Sequence, residues 1–166
     1  MISNSAVISD DGRYRYILLR YWSERPLMVW CMLNPSTADA RQDDSTIRRC
    51  IHFALRDGFG GIHVVNLMAY RATDPQKCLI QQDPIGSEND DYLEKAAKMA
   101  TYGVVCAWGA KAPDEIVRRG LHHLGDDLRC LGMTKNGSPR HPLYVAGLQP
   151  FVKWKPSTPL RYLEER

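Results

Sequence analysis

Short apolar runs alternate with amphipathic segments along most of the chain, which predicts buried strands separated by helices. The run at residues 29–33 has the length of a buried strand and stops abruptly at Asn34-Pro35. Three further apolar runs predict strands at residues 62–65, 103–108 and 128–131. Apolar residues at helical spacing predict helices at residues 47–55, 88–101 and 113–122, with a short helix and a connection within 76–87. This order predicts an α/β fold whose mainly parallel sheet is covered on both faces.

The N-terminal segment predicts a β-hairpin. Residues 5–9 and 14–22 flank Asp10-Asp11-Gly12, and Asp-Gly is a strong turn signal. The second of these segments reads as a mostly buried strand with a basic fringe. At 166 residues the chain predicts a single domain, 1–166, with the hairpin in residues 1–22 and a poorly anchored tail in residues 156–166.

Composition places the chain among ordinary globular proteins, with 44% hydrophobic and 25% charged residues. A net charge of +3 is compatible with nucleic-acid binding but does not require it. The five cysteines are widely spaced and form no CxxC pair, which favours reduced thiols over disulfides or a zinc site. No signal peptide or apolar run of transmembrane length is apparent. We therefore expect a cytoplasmic protein that does not contact a membrane.

Polar loops follow several of the predicted strands. Parallel strands joined by right-handed crossovers place their carboxyl ends at one edge, where ligands bind in open α/β sheets. We expect the loops that begin at Asn34, Asn66 and Ser138 to converge there on one cleft. The chain has no dinucleotide fingerprint after a strand, no phosphate-binding P-loop, no HExxH motif and no GxSxG motif. The predicted chemistry therefore uses amides, a histidine and basic side chains, without a metal or another cofactor.

Four segments in order, LNPSTAD, VVNLMAYRATDP, VVCAWGAKA and RHPLYV, resemble the uracil-DNA glycosylase superfamily. Almost the whole chain also resembles a narrower bacterial and phage family, catalogued as domain of unknown function 1643. The superfamily resemblance implies a three-layer αβα sandwich around a mainly parallel sheet, here with an added N-terminal hairpin. It also implies a DNA-binding hydrolase that extrudes a base and cleaves its N-glycosidic bond.

The same resemblance implies roles for individual residues. Asn34 matches the residue that positions the attacking water, Asn66 the residue that reads the base edge, and His141 the residue that stabilises the departing base anion. Other positions expected to contact the base are Pro35, Ser36 and Tyr70. Positions expected to contact DNA are Arg48, Arg71, Ser138, Arg140, Leu143 and Tyr144, with one of the last two acting as a wedge in the base stack.

Some positions depart from the glycosylase pattern. Asn34 is a much weaker base than aspartate, and Ser36-Thr37 replaces the aromatic residue that stacks on uracil. We therefore expect a modified or damaged base as substrate rather than plain uracil. Asp39, Asp43 and Asp44 are additional carboxylates, and one of them is a candidate catalytic base, Asp39 and Asp44 above all. The alternative is that these carboxylates cap the following helix or pair with arginines on it.

Structural roles compete with the functional ones. Asn66 can satisfy backbone groups in its loop, and His141 can be an ordinary surface residue. Arg71 can be simply solvated, and Trp108 can be a core residue rather than a stacking platform. Two other functions also remain open. One is a base-binding or nucleic-acid-binding module without catalysis, and the other is an enzyme that acts on a free nucleotide or nucleoside.

Overall fold

A mixed β-sheet forms the centre of the computed structural model, which describes residues 3–157. Within these residues the sheet has seven strands: β1 (Ser3–Ile8), β2 (Arg15–Tyr21), β3 (Leu27–Met32), β4 (Gly61–Asn66), β5 (Val104–Cys106), β6 (Leu128–Cys130) and β7 (Val152–Lys153). The α-helices are α1 (Ser45–Arg56), α2 (Pro75–Leu79), α3 (Asn89–Met99) and α4 (Asp114–Leu124), and a 3-10 turn covers Pro142–Tyr144. Of the predicted tail, residues 158–166 lie outside the described residues.

The strands lie in the order β1-β2-β4-β3-β5-β6-β7. Strands β4, β3, β5 and β6 are mutually parallel, so the predicted α/β class and the parallel centre are confirmed. The strand order reverses between β3 and β5, which is the kind of switch point where open α/β sheets bind ligands. The prediction was incomplete at both edges. The hairpin joins the same sheet through antiparallel pairing of β2 with β4, and the two-residue strand β7 was not predicted.

Apolar residues pack on both faces of the sheet. Helix α1 covers one face, where Phe53 packs against Trp30 of β3. Helices α3 and α4 cover the other face with side chains such as Leu93 and Leu121. All five cysteines are buried free thiols, as predicted, and burial raises the pKa of Cys31. Within residues 3–157, no helix is both long enough and apolar enough to span a membrane.

A β-bulge in β2 redirects two side chains. Val7 pairs with Ile17, but the next residue of β1 pairs with Arg15, so Tyr16 is the extra residue. Tyr16 stacks on Tyr92 of α3, with ring centroids 5.1 Å apart, while Arg15 is turned toward the opposite, α1-covered face. The predicted basic fringe is therefore wrong, because Arg15 is a buried side chain, as is Arg20 further along the strand.

Arginines of α1 hold the segment that follows the 3-10 turn. Arg49 Nη2 donates to the carbonyl oxygen of Val145 at 2.5 Å, and Arg56 Nη1 donates to that of Gln149 at 2.7 Å. Both guanidinium groups also lie over the ring of Phe53. The two arginines therefore hold this segment against α1.

His63 is a buried polar residue in the middle of β4. Its side chain is 4% exposed, and neither ring nitrogen has a hydrogen-bond partner among the described residues. Its register neighbours are Leu19 of β2 and Val29 of β3. Burial lowers the pKa of His63 below its usual value of 6.5 because the charged ring is poorly solvated there.

Replacing His63 with leucine is expected to raise the free energy of unfolding by about 1 kcal/mol near neutral pH, since an unpaired buried polar group is destabilising. The gain should grow as pH falls below 6.5, because the unfolded parent then binds a proton that the folded parent resists. Chemical denaturation at neutral and mildly acidic pH measures both effects. His122→Leu, at an exposed position, is the control. A stability difference for His63→Leu that does not change with pH would contradict this interpretation.

Candidate functional site

Three chain segments meet at the carboxyl edge of the parallel strands. Asn66 is the last residue of β4, and Asn34 lies two residues beyond the end of the adjacent β3. Just beyond β5, the Gly109 N–H donates to the Pro139 carbonyl oxygen at 2.9 Å, which brings in the loop that carries His141. The loops that begin at Asn34 and Asn66 therefore lie at one edge of the sheet with the loop that contains His141.

Asn34 links the loops that follow β3 and β4. Its Nδ2 donates to the Ala72 carbonyl oxygen at 2.7 Å and to that of Pro35 at 3.1 Å. The Ala72 N–H in turn donates to the Pro35 oxygen at 2.9 Å. Because the amide nitrogen is engaged, Oδ1 is the group that half-buried Asn34 can offer to a ligand or to water.

Asn66 is almost fully buried, with 2% of its surface exposed. Its Oδ1 accepts a hydrogen bond of 3.4 Å from Arg15 Nη2. Its backbone oxygen accepts one of 2.9 Å from Asn89 Nδ2, at the start of α3. The Asn66 side chain therefore receives a hydrogen bond from another side chain instead of capping the backbone of its own loop.

Arg15 is the residue of this edge that sequence reasoning missed. It is 3% exposed, and its Nη1 donates to the Ala38 carbonyl oxygen at 2.9 Å. Arg20 forms an ion pair with Asp43, whereas Arg15 forms none within the described residues. Burial lowers the pKa of Arg15 to about 10, so it remains a cation at neutral pH. Its position depends on the bulge at Tyr16, for which the sequence gives no clear signal.

Asp44 caps α1 and lies near two ionisable groups of the edge. Its Oδ1 accepts a hydrogen bond of 2.8 Å from the Ile47 N–H, as the capping alternative predicted. Its negative charge acts to raise the pKa of Arg15 and that of His141. Asp44 is thus the candidate carboxylate that combines a structural role with proximity to the imidazole.

The other two carboxylates of this loop are engaged elsewhere. Asp39 Oδ1 accepts from the N–H groups of Arg41 and Gln42 at 2.8 and 3.0 Å, and these bonds lower the pKa of Asp39. The Asp43 carboxylate pairs with Arg20 at 2.7 Å, instead of with an arginine side chain of α1. Asp39 is therefore a weaker base than an ordinary carboxylate, and Asp43 is part of a structural ion pair.

His141 presents one ring nitrogen away from its own loop. Its Nδ1 accepts a hydrogen bond of 3.3 Å from the Leu143 N–H, so the neutral ring carries its proton on Nε2. Burial lowers the pKa of His141, while the Asp44 charge opposes this shift. At neutral pH the imidazole is therefore uncharged and can donate from Nε2.

The remaining predicted base and DNA contacts divide into two groups. Pro35 is buried, Ser36 is half-buried, and Tyr70 packs edge-on against Tyr14.

Arg71 is half-buried and donates to the Gly12 carbonyl oxygen at 3.2 Å. Exposed positions near the edge are Arg48, Arg140, Leu143 and Tyr144, the last 80% exposed, and half-buried Ser138 lies in the adjacent turn. Arg71 and Arg48 are therefore both held by backbone oxygens, since Arg48 Nη1 donates to that of Asp43 at 2.6 Å. Arg140, Leu143 and Tyr144 expose their side chains to solvent.

Trp108 belongs to the core, as one of its two interpretations predicted. It is buried and packs edge-on against buried Trp154, with ring centroids 5.3 Å apart. Trp154 Nε1 donates to the Gly137 carbonyl oxygen at 3.1 Å. Both tryptophans therefore anchor the loop before His141 and do not form a stacking surface.

Cavities elsewhere in the described residues do not coincide with this edge. One of about 560 Å³ lies between residues 82–87 and the start of α4. Another of about 420 Å³ lies between the C-terminal ends of α3 and α4. Neither is lined by Asn34, Asn66 or His141. Within residues 3–157, no group of three or more His, Cys, Asp or Glu side chains is arranged to hold a metal ion.

Comparison with known families gives a match without an assigned activity. A family model described as "Protein of unknown function (DUF1643)" matches residues 15–143, which include Arg15, Asn34, Asp44, Asn66 and His141. No curated protein and no solved structure matches the chain.

Substitutions at Asp44 separate its capping role from its charge. Asp44→Ala is expected to lower the free energy of unfolding by about 1 kcal/mol, whereas Asp44→Asn, which keeps a good N-cap, should cost much less. Both variants remove the carboxylate and should lower the pKa of His141 further, as measured by NMR titration. Equal destabilisation by the two variants would contradict the capping role, and an unchanged pKa of His141 would contradict the proximity.

Proposed function

The chain belongs to the DUF1643 family of proteins of unknown function, and we propose from its own geometry that it binds a nucleobase extruded from DNA and hydrolyses the N-glycosidic bond. The observation that carries this proposal is that the Asn34 and Asn66 amides lie at one sheet edge with the neutral His141 imidazole. We further infer a modified or damaged base as substrate, and action in the cytoplasm, where thiols remain reduced.

The hydrogen-bonding groups of the edge suit a flat, amide-like heterocycle. Asn34 offers the Oδ1 acceptor, and His141 offers the Nε2–H donor. The edges of nucleobases carry just such alternating donors and acceptors, and enzymes that act on bases read these edges after extruding the nucleotide. Exposed Leu143 and Tyr144 lie two and three residues after His141 and supply apolar side chains that can fill the space left in the base stack.

The polar and charged groups at this edge could carry out hydrolysis of the N-glycosidic bond. A water held by Asn34 Oδ1 attacks the sugar carbon, the bond from that carbon to the base nitrogen breaks, and the base leaves as an anion. The His141 N–H stabilises this anion by on the order of 3 kcal/mol, the magnitude typical of a well-placed donor. Buried Arg15 adds a positive potential. The proton of the water passes to Asp44, the half-buried carboxylate near His141.

Access to Asn66 requires movement of the surrounding loops. The residue is 2% exposed, so a base reaches its amide only when the loops after β3 and β4 shift. These loops are joined by the hydrogen bonds of Asn34 to Ala72 and Pro35, and so they would move together.

Two features support a fold like that of the uracil-DNA glycosylases. Four parallel strands have helices on both sides. Asn34 follows β3 and Asn66 ends the adjacent β4, in the order that the sequence resemblance implies.

DNA is then the proposed partner. Exposed Arg48 and Arg140 lie near the edge with Ser138 and are candidates for phosphate contacts. Arg48 Nη1 also donates to the Asp43 carbonyl oxygen at 2.6 Å, and Arg71 is held by Gly12.

A base-binding module without hydrolysis is the second candidate. Asn34 cannot accept a proton at neutral pH, and one oxygen of Asp44 is already occupied by the cap of α1. Both observations favour binding over turnover if no other base is available.

Incubation with oligonucleotides that carry a panel of modified or damaged bases, followed by alkali, tests the proposal. We expect strand breaks at one class of base because hydrolysis leaves an alkali-labile abasic site. Salt-sensitive binding without breaks on any substrate would replace the enzyme with the binding module. Absence of binding even at low salt, with thermal stabilisation by a free nucleotide, would contradict both.

Variants at the edge should separate recognition from turnover. Asn66→Ala is expected to abolish discrimination among bases, since the amide that reads the base is lost. His141→Ala should slow turnover about 100-fold while weakening binding much less, because its donor acts mainly on the departing anion. Fluorescence anisotropy and single-turnover cleavage measure the two effects. Asn4→Ala, at an exposed position on β1, is the matched control. Parent-like behaviour of Asn66→Ala would remove that residue from the site.

A further inference from the structure

We propose that a basic platform next to His141 contacts the phosphate backbone of the DNA strand that carries the extruded base. The platform consists of the side chains of Lys135, Arg140 and Lys155. This inference rests on the proposed function and adds the surface on which the DNA backbone lies. The four segments that carry the glycosylase resemblance include neither of the two lysines.

The positive charge of the chain is concentrated in the segment that contains the platform. Residues 128–157 contain no Asp or Glu, and they carry five Lys or Arg side chains. The net charge of the whole chain is only +3, so the remaining residues together are net negative. A polyanion such as DNA is therefore attracted to this segment more strongly than to the rest of the chain.

The platform cations have no carboxylate partner in the part of the chain that the structure describes. All three side chains are exposed, and none of them belongs to an ion pair there. The other two cations of the segment are engaged. Arg129 Nε donates to the Tyr102 carbonyl oxygen at 2.5 Å, and Lys153 pairs with Asp127. The platform can therefore bind phosphates without breaking an ion pair between described residues.

Helices α3 and α4 show the opposite arrangement of charge. Arg119 pairs with Asp90 at 2.6 Å, and the Lys98 ammonium lies 4.0 Å from the Glu94 carboxylate. Three further carboxylates lie in the first turns of these helices: Asp91, Asp114 and Glu115. DNA on this face would meet paired cations among carboxylates, whereas the platform presents cations alone.

Hydrogen bonds hold the hairpin that carries Lys135. Near its tip the Thr134 N–H donates to the Ser138 carbonyl oxygen at 2.9 Å. Trp154 Nε1 donates to the Gly137 carbonyl oxygen at 3.1 Å, so the chain just before the last platform cation is tied to the same hairpin. Cations on a fixed surface require less ordering on binding than cations on a mobile loop.

Arg140 connects the platform with the proposed site. It directly precedes His141, and its N–H donates to the Gly132 carbonyl oxygen at 3.0 Å. The Pro139 carbonyl oxygen accepts from the Gly109 N–H just beyond β5. A DNA strand that delivers a base to the imidazole therefore passes close to Arg140, and the hairpin extends the contact to the two lysines.

The test compares two triple variants that remove the same charge from different surfaces. The platform variant combines three substitutions: Lys135→Gln, Arg140→Gln and Lys155→Gln. The matched control removes three exposed cations of α3 and α4: Lys95→Gln, Lys98→Gln and Arg118→Gln. Fluorescence anisotropy measures the affinity of each protein for a labelled duplex oligonucleotide at several salt concentrations, with a modified, a damaged or an ordinary base at one position.

We expect the platform variant to bind on the order of tenfold more weakly than the parent at low salt. The slope of log affinity against log salt concentration should become shallower by about two to three, because each phosphate contact contributes about 0.9 in duplex DNA. The loss should be the same for every base tested, since phosphate contacts carry no sequence information. The control should stay within about threefold of the parent and keep its slope.

Single substitutions cover the case in which the platform variant does not fold. Lys135→Gln and Lys155→Gln each change one exposed side chain, and each is expected to reduce the slope by about one. Two single variants with the parental slope would overturn the inference.

The remaining outcomes separate the platform from the proposed function. A platform variant whose affinity and slope match those of the control overturns the inference and leaves the proposed function intact. A loss that differs from base to base also overturns it, because the side chains would then read the base and not the backbone. A parent that binds no oligonucleotide even at low salt contradicts the proposed function, and the inference falls with it.

Discussion

The edge of the sheet is organised around a cation buried without an ion-pair partner in the described residues. Removing a charged group from water costs several kcal/mol unless hydrogen bonds and nearby charges compensate. For Arg15 the compensation comes from the Ala38 carbonyl, the Asn66 amide and the charge of Asp44. These partners belong to the loop after β3, the end of β4 and the start of α1. The same guanidinium therefore holds together the elements from which the proposed site is built.

A second set of arginines fixes the remaining part of the site. His141 lies in a segment far along the chain from Asn34 and Asn66, and the contacts of Arg49 and Arg56 with backbone carbonyls hold that segment on α1. Asp44 caps the same helix and acts on the imidazole by its charge. The position of the histidine thus depends on the contacts of its segment with α1.

Local patterns revealed the centre of this fold, and long-range contacts determined the rest. The apolar runs that end at Asn34 and Asn66 identified β3 and β4 because buried parallel strands have a strong local signature. The buried position of Arg15 was not predicted, because a single inserted residue, Tyr16, changes the face of the sheet on which Arg15 lies. The partners of Arg49 and Arg56 were missed because backbone carbonyls carry no sequence signal. Strand β7 has only two residues and adds no pattern of its own. Asp44, by contrast, occupies a cap position that its sequence context predicted.

The most direct test of base binding at this edge is an NMR spectrum of the side-chain amides, recorded as an oligonucleotide with a modified or damaged base is added. If the base binds as proposed, the resonances of Asn34 and Asn66 shift together with the ring signals of His141, while those of Asn4 on distant β1 stay in place. Shifts confined to residues around the two separate cavities, with Asn34 and Asn66 unchanged, would show that the ligand binds elsewhere.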